Sequence, residues 1–291
     1  MYILGGTSAG RVAANLAAEL HQPLLQTTFK RFPDDEFYVR LLDSVAGDEV
    51  LIVQTAYPDE KIVELFLMQD AVYDAGAKKI TVVLPYFGYS RQDKKFEEGE
   101  AISARAIAEH ISLHANKVIT VDPHKDHILR FFTVPAYSCS AVTSLAQYLK
   151  EKRIDFVLAP DKGARERAKE AAAFINCDFD YLEKTRIDGT TVTITPKKLD
   201  ARGKRVAIID DIISTGGTMT NSIKELKKQG AKAVFVACTH GLFIGQAKEK
   251  LIAAGCDEII ATDTIESEFS KVSVAHCIAE IFQKTLPHIK N

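Results

Sequence analysis

The chain has 291 residues, 46% of them hydrophobic and 26% charged, the balance of a globular protein with a sizeable core. Its 37 basic and 39 acidic residues leave a net charge of −2, so neither a global basic excess for nucleic acid nor a polybasic block for a membrane surface is present. No apolar run approaches the roughly 18–20 residues that span a bilayer, and the opening MYILGGTSAGR lacks a basic region before an apolar stretch, so the expectation is a cytoplasmic protein.

Short apolar runs alternate with amphipathic stretches along the chain. Residues 5–12, GGTSAGRV, have the glycine spacing of a Walker A loop, but Arg11 and Val12 stand where Lys and Ser or Thr are needed. The segment reads instead as a strand-to-helix turn. Residues 50–54 (VLIVQ) predict a buried strand, residues 62–71 step along helical turns that Gly76 ends, and residues 80–84 (ITVVL) predict the next strand. The same grammar returns later, with strands over 156–159, 206–209 and 233–237 and helices over 164–174 and 218–229. Buried strands separated by helices imply an α/β fold with mostly parallel sheets covered on both faces. The length suits two domains, here 1–145 and 146–291. A last helix over 273–286 has one apolar face and is read as a packing helix that can return to the first domain. Five cysteines (Cys139, Cys177, Cys238, Cys256 and Cys277), odd in number and without a CxxC pair, fit reduced buried thiols better than a disulfide framework or a zinc site.

The strongest motif is RVAIIDDIISTGGTMTN, residues 205–221. A buried strand leads to two carboxylates, Asp210 and Asp211, and then to a loop of Ser214, Thr215, Gly216, Gly217 and Thr218 before a helix. Free N–H groups at a helix start bind phosphate, and glycines allow close backbone approach. The hydroxyls add donors, and paired carboxylates accept hydrogen bonds from vicinal sugar hydroxyls. The plainer alternative is a capped strand-to-helix turn.

This motif closely resembles the phosphoribosyl-diphosphate-binding loop of the phosphoribosyltransferase fold, shared by transferases that consume that compound and the synthetase that makes it. RFPDDE (31–36) and PYFGYSRQDKK (85–95) are similar to the ATP-contact segments of ribose-phosphate diphosphokinases. Asp122-Pro123-His124, APDKGA (159–164) and Glu183-Lys184-Thr185-Arg186 resemble that family's metal, diphosphate and catalytic-loop segments, in the family's order.

The resemblance implies two phosphoribosyltransferase-like domains and Mg²⁺-dependent transfer of diphosphate from ATP to ribose 5-phosphate. It implies ATP contacts from Phe32, Asp34, Asp35, Glu36, Arg91 and Gln92. It places ribose 5-phosphate on Arg186, Asp210, Asp211 and residues 214–218. His124 and Asp161 become metal contacts, and Lys184 and Arg186 catalytic cations. In the family the loop near Phe32 reaches a neighbouring subunit, so a homo-oligomer of at least two chains is implied. Plainer roles stand beside these: core packing for Phe32, a solvated charge run around Arg91, helix capping for Asp161, and a solvated basic pair for Lys184 and Arg186. His127 is read as structural. The competing functions are a transferase that does not bind ATP and a non-catalytic relative of the same fold.

Overall fold

The computed structural model describes residues 1–186, 192–196 and 200–286, with backbone alone for 183–186 and 192–196. The chain forms two compact units: residues 1–140, 263–266 and 273–291, and residues 141–262 with 267–272.

Unit 1 begins β1 (Tyr2–Gly5), α1 (Gly10–Leu20), β2 (Thr27–Arg31), β3 (Phe37–Leu41), β4 (Glu49–Val53) and α2 (Glu60–Asp74). It continues with β5 (Lys79–Leu84), α3 (Ser103–Ile111), β6 (Lys117–Val121) and β7 (Ala136–Cys139). Strands β1-β4-β5-β6-β7 form a parallel sheet in that order. Val50, Leu51, Ile52 and Val53 have no solvent exposure at all, as expected of a strand covered on both faces.

Unit 2 holds α4 (Val142–Glu151), β8 (Phe156–Ala159), α5 (Arg165–Ile175), β9 (Asp178–Arg186) and β10 (Val192–Pro196). Then come β11 (Arg205–Ile213), α6 (Gly217–Lys228), β12 (Ala233–Gly241), α7 (Ala247–Ala253), β13 (Glu258–Thr262) and β14 (Ser270–Val272). Its sheet runs β10-β9-β8-β11-β12-β13-β14, with β10 alone antiparallel to its neighbour. The last helix, α8 (Ala275–Lys284), belongs to unit 1, where Ala275, Cys277, Ile278, Ala279 and Phe282 are buried. The strands β1-β4-β5-β6 and β8-β11-β12-β13 therefore repeat one order of insertion, and β1 corresponds to β8.

The structure departs from the sequence pattern in three places. Residues 27–41, with no strand expected, form the antiparallel hairpin β2-β3. Its strands are only half-buried, so no continuous apolar run announces them. Strand β11 continues to Ile213, so Asp210 and Asp211 lie inside the strand; the β-branched Ile212 and Ile213 extend the pairing to His240 and Gly241 on β12. Residues 183–186, expected in a loop, continue β9 because β10 pairs with them.

Candidate active site

In unit 2, β8 and β11 are parallel neighbours, with Val206 beside Phe156 and Ile208 beside Leu158. The segments that leave these two strands therefore meet at one edge of the sheet, the carboxyl end where ligands of such sheets bind. Asp161 stands two residues past β8. Its Oδ1 accepts the N–H groups of Gly163 at 2.8 Å and Ala164 at 3.3 Å, so the capping role is real. The other carboxylate oxygen takes no part in that cap.

On β11, Asp210 Oδ1 accepts the Asp211 N–H at 2.9 Å, and Asp211 Oδ1 accepts the Ile212 N–H at 2.9 Å. Burial, then the neighbouring Asp211 and the more distant Asp161, push the Asp210 carboxyl up to about 8. Crowded acids of this kind suit a cation or a set of hydroxyl donors. The next residues turn into α6 through Gly216, whose φ of 73° is a left-handed conformation that a side chain would strain. Ser214 and Thr218 are half-buried, while Thr215 and Gly217 are exposed. Among the described residues no side chain caps α6, which leaves the N-terminus of this 12-residue helix a site for an anion.

Lys184 and Arg186 sit at the carboxyl end of β9, the parallel neighbour of β8, opposite Ile194 and Val192 of β10. Their side chains lie outside the described residues. The backbone alone puts both positions at the end of the sheet that carries Asp161 and Asp210.

In unit 1 the parallel neighbours β5 and β6 likewise send adjacent segments off their carboxyl ends. The segment after β5 carries Arg91, exposed, and Gln92, half-buried. Gln92 is fixed at three points: its N–H donates to Tyr89 O at 2.9 Å, its carbonyl accepts from Ala104 at 3.2 Å, and its Nε2 donates to Glu100 at 3.4 Å. The Glu100 carboxyl is held below its ordinary range by the N–H groups of Phe96 and Glu97. A Cβ on Gly88 would stand 2.1 Å from the Ala56 carbonyl oxygen, so only glycine lets this turn lie against that backbone. Hydrogen bonding to Asp59 raises the Tyr89 hydroxyl above its ordinary range.

The segment after β6 carries Asp122, whose N–H donates to Cys139 O at 2.9 Å, and the half-buried His124. His127 Nε2 lies 3.1 Å from Asp93 Oδ2, which joins the two segments. No sequence pattern had paired them. The available signal was an acid two residues past Arg91 and a second histidine three past His124.

Phe32, Asp34, Asp35 and Glu36 form the exposed tip of the β2-β3 hairpin. Phe32 is 41% exposed, which rules out core packing. Its ring meets Tyr38 edge-on at 5.6 Å, and Lys30 lies over both rings. Phe32 N–H donates to Glu36 O, and Asp35 N–H to Phe32 O, closing the turn. Arg31 reaches Asp35 O at 2.7 Å and Glu60 at 3.7 Å, tying the tip to the start of α2 beside Asp59.

The turn after β1, topologically the counterpart of the Asp161 loop, is filled by the protein itself. Thr7 donates its N–H and Oγ1 to the two carboxylate oxygens of Glu64, each at 2.7 Å. Ser8 Oγ donates to Gln54 Oε1 at 2.7 Å, and Arg11 pairs with Asp263 at 3.8 Å. Val12 is core. The turn does not present a phosphate loop.

Among the described residues no group of three or more His, Cys, Asp or Glu side chains forms a cage for a metal ion. Mg²⁺ does not need one: it takes one or two carboxylates, waters and substrate phosphate oxygens. The hard oxygen donors around Asp161 and Asp210 fit that ion.

Two families account for this arrangement. A model described as the N-terminal domain of ribose phosphate pyrophosphokinase matches residues 1–114, and one described as a phosphoribosyl transferase domain matches residues 138–274. Ribose-phosphate pyrophosphokinase of Methanopyrus kandleri is 41% identical over 284 residues, 96% of this chain and 98% of that one. The same enzyme of Methanosarcina acetivorans is 41% identical over 286 residues, 98% of this chain and all of that one. The crystal structure of phosphoribosylpyrophosphate synthetase from Mycobacterium smegmatis superposes with a TM-score of 0.83 at 31% identity, covering 97% of each chain. The fold is thus of the phosphoribosyltransferase type in both units. More narrowly, the chain belongs to the ribose-phosphate pyrophosphokinase family and is an enzyme. Among the described residues no helix is long and apolar enough to cross a membrane.

Proposed function

We propose that this enzyme transfers the β,γ-diphosphoryl group of ATP to the 1-hydroxyl of ribose 5-phosphate. The products are 5-phosphoribosyl 1-diphosphate, a precursor for nucleotide biosynthesis, and AMP. The observation that carries this reading is the uncapped N-terminus of α6 placed directly after the carboxylates Asp210 and Asp211. A sugar phosphate has both complements, an anion for the helix and vicinal hydroxyls for the acids.

In this reading the 5-phosphate takes the N–H groups and hydroxyls of residues 214–218. The ribose hydroxyls donate to Asp210 and Asp211. Arg91 and Gln92, with Phe32, Asp34, Asp35 and Glu36 of the hairpin tip, bind ATP. The anomeric oxygen attacks the β-phosphorus, the bond from that phosphorus to the α-phosphate oxygen breaks, and AMP departs while the hydroxyl proton goes to solvent. Such displacements depend on positioning and charge neutralisation more than on a strong base. Lys184 and Arg186 meet the charge that builds on the transferred group. Asp161 in unit 2 and, by the family resemblance, His124 in unit 1 would be metal contacts, and Mg²⁺ would supply neutralisation of the phosphate oxygens. The hairpin tip, exposed in one chain, serves a neighbour's adenine site in a cytoplasmic oligomer of at least two chains.

The test is phosphorus NMR of the enzyme with ATP, Mg²⁺ and ribose 5-phosphate. AMP should appear in step with loss of ribose 5-phosphate. Stoichiometric ADP would make the protein an ordinary kinase. Light scattering at assay concentration checks the assembly, and an active monomer would remove the role given to the hairpin.

A further inference from the structure

Two thiols outside the candidate site meet within unit 1. Cys139 ends β7, Cys277 lies in the first turn of α8, and their sulfurs are 3.2 Å apart. A disulfide bond measures about 2.05 Å, so only a small closure separates this contact from a covalent link. Cys139 is half-exposed, whereas Cys277 is 8% exposed and donates to Val274 O at 3.2 Å.

We propose that Cys139 and Cys277 are a dithiol modification site that small disulfides convert to an intramolecular disulfide. The Cys139 thiolate attacks one sulfur of the small disulfide, forming a mixed disulfide and releasing one small thiolate. Cys277 then loses its proton to solvent and attacks the Cys139 sulfur, forming the protein bond and expelling the second small thiolate. The two thiolates pick up the two protons given up by the protein. Two protein thiols are oxidised and one small disulfide is reduced.

Exposure sets this order, because a reagent reaches Cys139 first. The Cys139 contact and burial push the Cys277 thiol up, so it waits for a partner already beside it. Burial pushes Cys177 and Cys256 up to about 11 and keeps the Cys238 thiol protonated as well, which makes these three poor nucleophiles.

The location gives the bond a purpose. The chain leaves unit 1 after residue 140 and rejoins it for good at 273. A 139–277 link would join the departing and returning segments and close unit 2 into a covalent ring. The Cys139 carbonyl also accepts the Asp122 N–H, so the link fastens the strand end from which the His124 segment departs.

The test treats the folded full chain with oxidised glutathione, alkylates the remaining thiols after denaturation, and maps the peptides. The expected map shows Cys139 linked to Cys277, with Cys177, Cys238 and Cys256 alkylated and all five thiols restored by dithiothreitol. Cys277→Ser should stop at glutathione on Cys139. A lasting glutathione adduct on Cys139 of the parent, a different pair, or five alkylated cysteines would each overturn the proposal. The parent map decides even if the variant fails to fold.

Discussion

The imidazole of His127 and the carboxylate of Asp93 stand 3.1 Å apart, fastening the segment after β5 to the segment after β6. His127 is 48% exposed and Asp93 12%, so the pair is worth little to global stability, about 0–1 kcal/mol. Its effect is local. Gln92 and Arg91 lie one and two residues before Asp93, and loosening the pair removes one tether from the segment that carries them. His127→Ala should raise the KM for ATP severalfold while leaving the KM for ribose 5-phosphate and the melting temperature nearly unchanged. Steady-state kinetics with each substrate varied in turn will show this. Equal changes in both KM values would mean that the pair does not serve the nucleotide segment.

Gly88 and Gly10 offer a matched contrast. A methyl group at Gly88 would lie 2.1 Å from the Ala56 carbonyl oxygen, and backbone cannot rotate out of the way. Gly88→Ala should cost about 1–3 kcal/mol, as overpacked sites do, and should displace the Tyr89 to Gln92 turn with a loss of ATP affinity. At Gly10, the first residue of α1, a methyl group meets nothing within 4 Å. Gly10→Ala should stabilise by about 0.4–1 kcal/mol by restricting the unfolded chain. Urea melts of the two variants beside the parent check both signs.

Asp210 sets a pH dependence opposite in direction to that of most acids. Its carboxyl titrates at 3.8 in an unstructured chain and is pushed up to about 8 in the fold. Between those values the folded state keeps a proton that the unfolded state has lost, so stability declines as the pH rises through that window. Asp210→Asn should therefore melt above the ligand-free parent near pH 8, with the gap narrowing near pH 5. Mg²⁺ added to the parent should recover part of the loss and release a proton. The same substitution removes charge-assisted acceptance from the sugar and should weaken ribose 5-phosphate by about 1.5–3 kcal/mol, with ATP much less affected. A parent whose melting temperature is flat across this range would disprove the proton assignment.

Lys184→Ala tests the catalytic role given to the end of β9. If this cation meets charge that develops only as the diphosphoryl group moves, kcat should drop about 10²–10³-fold, or about 2.7–4 kcal/mol, with smaller changes in either KM. Arg186→Ala should behave alike, and the double variant should fall short of additivity. A circular-dichroism melt serves as the folding control. An unchanged kcat in a folded variant would move catalysis elsewhere on the sheet edge.

Burial decided how much of the fold was legible in the sequence. Runs such as Val50 to Val53 and Val206 to Ile209 are apolar on both faces, the signature of strands covered on both sides. The loop after β11 was legible because its glycines, hydroxyls and acids fall consecutively. The hairpin was not, because Phe29, Val39 and Leu41 pack only in part against the core and Thr28, Lys30, Arg31 and Arg40 are exposed. Asp93 with His127, and Thr7 with Glu64, were hidden for another reason. Each joins residues 34 or 57 positions apart whose partnership is made by the order of strands in the sheet.

Glu64 is 1% exposed and lies with both oxygens engaged by Thr7, beside Lys61. Because this acid belongs to the chain, the turn after β1 is saturated at every solute concentration, and no dissociation empties it. A duplicated architecture would ordinarily lead one to count two equivalents of phosphate, one per repeat. Here one repeat carries a permanent internal tenant in that turn, so the count should be asymmetric. In a titration with inorganic phosphate, the turn after β1 should add nothing to the stoichiometry, whatever its counterpart, the Asp161 loop after β8, contributes.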